Sequence, residues 1–159
     1  FIHARSVDFS PHPSRSWIKS FHATMCFNIP TDLRICGENL YAKHSIFYDL
    51  LPSYFLTFSI FRGNTCLSWD ETTEWCDLLG LETIPVMYRG EWNMKAIQAC
   101  MRGESKYGSS QEGYVVRSSA SFELNEFPKC IGKYVREGHV QTDQHWLHSA
   151  VIPNRLAKE

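Results

Sequence analysis

The chain has 159 residues, 43% of them hydrophobic and 21% charged, which excludes disorder, collagen-like repeats and a long coiled coil and predicts one globular domain over residues 1–159. Sixteen Lys and Arg against seventeen Asp and Glu leave a net charge of -1, so a uniformly basic nucleic-acid coat is excluded while a local basic groove is not. The longest apolar stretch, Tyr54 to Phe61, is interrupted by Ser59 and ended by Arg62, well short of the roughly 20 residues a membrane helix needs.

In chain order, Phe1 to Val7 reads as a strand with no turn or cap ahead of it, so the expectation is a domain incomplete at its N-terminus. Pro11 and Pro13 make Ser10 to Ser16 a loop. Trp17, Ile18, Phe21 and Met25 recur at helical spacing and predict a helix from Ser16 to Phe27, stopped by Pro30. Leu33 to Leu40 and the aromatic-rich Tyr54 to Phe61 read as strands. Arg62 to Thr65, with Gly63 and Asn64, is a hairpin turn into a strand from Cys66 to Trp69.

Ser68 followed by Glu71 has the spacing of a capping box and opens a helix that ends near Gly80. A short strand from Ile84 to Tyr88, a short helix from Trp92 to Met101 closed by Gly103, and a flexible loop to Gln111 follow. The last predicted strands are Gly113 to Arg117 and Ile131 to Arg136, joined by a connection that contains Pro128. Strands paired through hairpins and interleaved with few helices give an α+β fold with antiparallel sheets. The six cysteines include no Cys-x-x-Cys pair; they read as reduced packing thiols, and the protein as intracellular and cytoplasmic.

Three segments place charge where a strand otherwise reads as buried: Gly37-Glu38-Asn39-Leu40-Tyr41, Glu112-Gly113-Tyr114-Val115-Val116-Arg117 and Lys133-Tyr134-Val135-Arg136. A carboxylate beside a glycine at a strand mouth reaches a ligand without entering the core. Two such acids and a lysine outline a pocket. His44 reads as a packed histidine, and His139, His145 and His148 lack the fixed spacing of a metal site.

The ordered set HARSVD, CGENLYAKHS, YFLTFSI, EGYVVR, KYVR and GHVQTDQHW, spanning His3 to about Leu156, resembles the ATP-dependent RNA ligases among the covalent nucleotidyltransferases. The resemblance implies an antiparallel-sheet nucleotidyltransferase domain, ATP as substrate with a lysyl-AMP intermediate, Mg2+ as cofactor and RNA ends as partners in an RNA-repair reaction. By the same resemblance Arg5 contacts the ribose and phosphate region, Glu38 accepts a hydrogen bond from a ribose hydroxyl, and Phe58, or Phe55 on another register, stacks on adenine. Glu112 holds the metal and Lys133 the α-phosphate. Each has a structural alternative: Arg5 paired with Asp8, Glu38 as a cap or in an ion pair within the sheet, Phe58 in the core, and Glu112 and Lys133 as solvated surface charges.

The nucleophile motif of that family, Lys-x-Asp-Gly, is absent from the 159 residues, and Lys129 stands in the wrong place for it. The expectation is therefore a truncated chain that does not form the covalent adenylate. Ser59 and Val135 also depart from the pattern, where an acid and a second lysine are common. Two other readings stay open: a degenerate module that binds a nucleotide or an RNA end without chemistry, and a capping-type guanylyltransferase. Arg117, Lys129, Lys133 and Arg136 either track a phosphate backbone or form a solvated face.

Overall fold

A computed structural model describes residues 1–3, 13–44, 46–138 and 151–157. A single 3-10 turn, Pro13–Arg15, leads into helix α1, Ser16–Met25. Trp17 stacks on Phe21 with ring centroids 4.9 Å apart and meets Tyr54 edge-on at 5.2 Å. A further 3-10 turn, Cys26–Asn28, closes the helix before Pro30. Strand β1 is Leu33–Asn39, β2 is Phe55–Arg62 and β3 is Thr65–Cys66. Helix α2, Trp69–Leu79, has the complete capping box: Ser68 Oγ accepts from the Glu71 N–H, and the Glu71 carboxylate accepts from the Ser68 N–H. Gly80 ends it with φ of 65°, a left-handed geometry that disfavours any side chain.

Strand β4, Glu82–Thr83, and the five-residue helix α3, Met94–Gln98, come next, then β5, Gly113–Arg117, and β6, Phe122–Glu123. Helix α4, Phe127–Cys130, delivers the chain into β7, Ile131–Val135. β2 is the hub: it pairs antiparallel with β1 and β3 and parallel with β4, while β6 adds antiparallel to β3. β5 and β7 form a separate antiparallel ribbon. The fold is therefore α+β, with mainly antiparallel sheets and few helices.

The five-stranded sheet has two apolar faces. On one, Leu33, Ile60, Leu67, Cys76 and Leu81 are packed under Phe21 and Met25 of α1 and Trp75 and Leu79 of α2. On the other, Phe61, Cys66 and Phe122 meet Cys36, Cys130 and Ile131, so this face carries the start of the ribbon. All six cysteines are unbridged thiols.

Several predicted boundaries shift for local reasons. Residues 1–3 have no regular structure, and the remainder of the strand predicted from Phe1 to Val7 lies outside the described residues. The strand predicted at Ile84 to Tyr88 is instead Glu82–Thr83. The Ile84 N–H makes one last bond to the Thr57 carbonyl at 3.0 Å, and Pro85 has no N–H with which to continue. The strand expected from Cys66 to Trp69 stops at Cys66, because Ser68 already caps α2. The helix expected from Trp92 to Met101 shrinks to Met94–Gln98, starting where the Asn93 side chain accepts from the Ala96 N–H at 3.1 Å. The loop that follows is anchored rather than free, since the Tyr107 carbonyl accepts from both Asp49 and Leu50 N–H at 3.3 Å.

Candidate functional site

The site starts from an irregularity in β2. Cys36 faces Ser59 and the next residue, Gly37, faces Thr57, so Phe58 is an extra residue with no partner on β1. Such a bulge re-aims side chains. Phe58 is 38% exposed although Thr57, Ser59 and Ile60 beside it are buried. Phe55, the alternative stacking residue, instead packs against the helical face. Its ring lies so close over Gly37 that a Cβ there would collide with it. Cys36 belongs to the ribbon-side cluster, and strand alternation puts Glu38, two residues on, toward that same side. Glu38 is exposed there.

Arg117 ties the ribbon to this strand. It donates to the carbonyls of Phe58 at 3.1 Å, Leu67 at 3.0 Å and Ser118 at 3.0 Å, and to Ser59 Oγ at 3.3 Å. Its guanidinium also lies 5.5 Å from the Trp69 ring and 5.8 Å from the Phe122 ring. The sequence reading of Arg117 as a cation free to track phosphates is thus corrected: its donors are spent on joining β5 to β2. Arg136 is likewise engaged, its Nε donating to the Gln111 carbonyl at 3.0 Å. Lys129 and Lys133 remain exposed.

Glu112 sits at the mouth of β5, where its carbonyl accepts from the Arg136 N–H at 2.9 Å. Gly113 beside it must be glycine for space, since a Cβ would run into the Tyr134 carbonyl. Lys133 pairs with Val115, and Ile131 with Arg117. Alternation therefore places Lys133 on the ribbon face it shares with Ile131, which packs onto the five-stranded sheet.

Tyr48, which the sequence reading did not single out, connects the two acids. Burial, then the carboxylates of Glu112 and Glu38, push its phenol up to about 12. The charges of both predicted acids, at the ends of β1 and β5, thus add to the effect of burial on this phenol. Among the described residues the ion pairs are Arg62–Asp32 at 3.0 Å and Arg89–Asp70 at 2.6 Å. Neither Glu38, Glu112 nor Lys133 belongs to either, so the alternative of a sheet ion pair for Glu38 is not met among these residues. Arg5, His139, His145 and His148 lie outside the described residues, and His44 is half-buried.

No group of three or more His, Cys, Asp or Glu able to hold a metal occurs among the described residues. A magnesium ion keeps most of its waters and takes only one or two protein carboxylates. A single half-buried carboxylate, Glu112 at the mouth of β5, meets that donor count. No helix among the described residues is long and apolar enough to cross a membrane.

The set of elements that positions these residues ends in β7, and the comparison with known families covers the same span. The family model for RNA ligase matches residues 1–135. No curated protein and no solved structure matches the chain. With most of its length matched, from the first residue through the lysine strand of the ribbon, the chain belongs to the RNA ligase family.

Proposed function

We propose that this chain holds the nucleotide in an ATP-dependent RNA ligase that joins RNA 5′-phosphate and 3′-hydroxyl ends through lysyl-AMP and RNA-adenylate intermediates. What supports the reading is the placement of the groups. Phe58 is turned outward at the bulge. Glu38 lies on the sheet side that carries the ribbon which Glu112 opens and Lys133 belongs to, the charges of both acids adding to burial in raising the Tyr48 phenol. Phe58 offers a shelf for adenine, and Glu38 accepts from a ribose hydroxyl. Lys133 holds the α-phosphate and balances the charge on its nonbridging oxygens. Glu112 would hold Mg2+, which when bound supplies further charge neutralisation at that phosphate. Nucleotidyl transfer asks the protein mainly for positioning and charge stabilisation, which this set of groups provides.

The 159 residues contain no Lys-x-Asp-Gly, so no residue of this chain is assigned as the attacking amine. Ser59 and Val135, which stand where an acid and a second lysine are common, favour a second reading, a module that binds a nucleotide or an RNA end without chemistry. The sealing step separates the two. In it the 3′-hydroxyl attacks the adenylated 5′-phosphate and AMP leaves, so the lysine nucleophile is not consumed.

The test supplies 5′-adenylylated RNA, a 3′-hydroxyl acceptor and Mg2+ to the chain. Joined product is expected, falling on the order of 100-fold in Glu112→Gln and in Lys133→Ala. AMP binding without any sealing assigns the binding module. Tighter competition by GTP than by ATP assigns a guanylyltransferase. A folded chain that neither seals nor binds adenine nucleotide overturns the proposal.

A further inference from the structure

Segment 151–157 lies beyond the residues that the family model matches, yet it makes most of the contacts that hold the loop between β1 and β2. Asn154 is its centre and is 2% exposed. Its Nδ2 donates to the Leu40 carbonyl at 2.8 Å, and its Oδ1 accepts from the Tyr48 N–H at 2.9 Å. Its backbone N–H donates to the Tyr41 carbonyl at 2.8 Å, and its carbonyl accepts from the Tyr54 hydroxyl at 3.1 Å.

On either side of it the Lys43 N–H donates to the Ile152 carbonyl at 2.7 Å, and the Arg155 N–H donates to the Tyr48 carbonyl at 2.8 Å. One side-chain amide therefore joins two backbone points, Leu40, two residues past Glu38, and Tyr48, whose phenol is raised by burial and by the charges of both acids. The strand end is also pinned from its other side, where Asn39 Nδ2 donates to the Ser14 carbonyl at 3.3 Å. A buried amide with donor and acceptor both engaged fixes the separation of those two points, because letting go of either leaves an unpaired polar group.

We propose that Asn154 is a positioning residue for ribose recognition: its amide sets the spacing between the Glu38 strand end and the Tyr48 loop. The inference rests on the proposed reading of Glu38 as the ribose acceptor. It predicts that Asn154 controls discrimination for the sugar hydroxyls rather than affinity for the base.

The test measures equilibrium binding of AMP and of 2′,3′-dideoxy-AMP to the whole chain, with thermal melts to confirm folding. Wild type is expected to prefer AMP by about tenfold, the worth of one hydrogen bond to a charged acceptor. Asn154→Ala should bring that ratio close to one while changing dideoxy-AMP binding by less than about threefold. Tyr54→Phe removes the contact to the Asn154 carbonyl but spares both amide bonds, and should keep the ratio. A change that merely loosened the segment would move both variants alike.

Where Asn154→Ala melts below the assay temperature, Asn154→Asp takes its place, since it has the same volume and keeps the Tyr48 acceptor but loses the donor to Leu40. A folded Asn154 variant with the wild-type ratio overturns the inference and leaves the nucleotide reading standing. Wild-type binding of AMP with no preference over the dideoxy analogue overturns the inference together with the Glu38 ribose assignment, and leaves only nucleotide binding standing. Absence of AMP binding in wild type overturns both.

Discussion

Arg117 shows how much of the site depends on a residue that touches no proposed substrate atom. Its donors reach the Phe58, Leu67 and Ser118 carbonyls and the Ser59 hydroxyl, an arrangement that suits a planar guanidinium and not a single ammonium. Arg117→Lys should therefore lower stability by about 2 kcal/mol through carbonyls left without donors, read as a shift in urea midpoint. A midpoint equal to wild type would show that water replaces these bonds. Tyr48 gives a second test at this scale. Its phenol is raised to about 12, by burial first and then by Glu112 and Glu38. Above about pH 10 the unfolded chain releases this proton while the folded chain keeps it, so the folded state loses stability as pH rises from about 10 to 12. Tyr48→Phe lacks that contribution, and its stability should fall less steeply over the same window; parallel curves would remove the two carboxylates from the neighbourhood of the phenol. Glu38 and Glu112 stood out in sequence because each adjoins a glycine, and the structure shows that neither Gly37 nor Gly113 has room for a Cβ. The roles of Arg117 and Tyr48 were not legible there, because the partners that define them, Phe58 and Leu67 for Arg117 and Glu112 for Tyr48, lie far along the chain and local spacing carries no record of them.

At the scale of elements, legibility follows length and capping. The Ser68 and Glu71 box announced α2 in sequence, and both of its reciprocal bonds are formed. Ser68→Ala should cost about 1 kcal/mol by chemical denaturation. Hydrogen bonds from the Ser68 side chain and backbone hold the Glu71 carboxyl below its ordinary range. A lowered folded value means stability that is present above the ordinary carboxylate range and lost as pH falls through the folded value. The gap between wild type and Ser68→Ala should thus narrow on acidification, and a gap independent of pH would show that the Glu71 contacts contribute nothing. The two-residue strands β4 and β6 left no comparable mark. Two residues cannot display a period, and their pairing is set by β2 and β3 rather than by their own composition. The bulge at Phe58 was equally invisible, since it is a matter of register between two strands. It is nonetheless what turns Phe58, whose structural alternative was the core, toward solvent.

For the whole molecule, the groups proposed to hold the nucleotide come from three parts: Glu38 and Phe58 from the five-stranded sheet, Glu112 and Lys133 from the ribbon, and Asn154 behind the loop that carries Tyr48. A ligand held by all three stabilises the folded chain against global unfolding, whereas a ligand held by one part protects only that part. Saturation to about 100 times the dissociation constant adds about 2.7 kcal/mol. For a chain of this length that raises the melting temperature by roughly 5 to 10 °C. With AMP the rise should be graded in ligand concentration and should appear as a single transition. Hydrogen exchange should slow in β5 and β7 together with β1 and β2, because the nucleotide bridges strands that otherwise meet mainly through Arg117 and the small cluster of Phe61, Cys66 and Phe122. Slowing confined to β1 and β2 would mean that Glu112 and Lys133 face away from the bound nucleotide, and the phosphate side of the site would then have to be sought elsewhere on the ribbon.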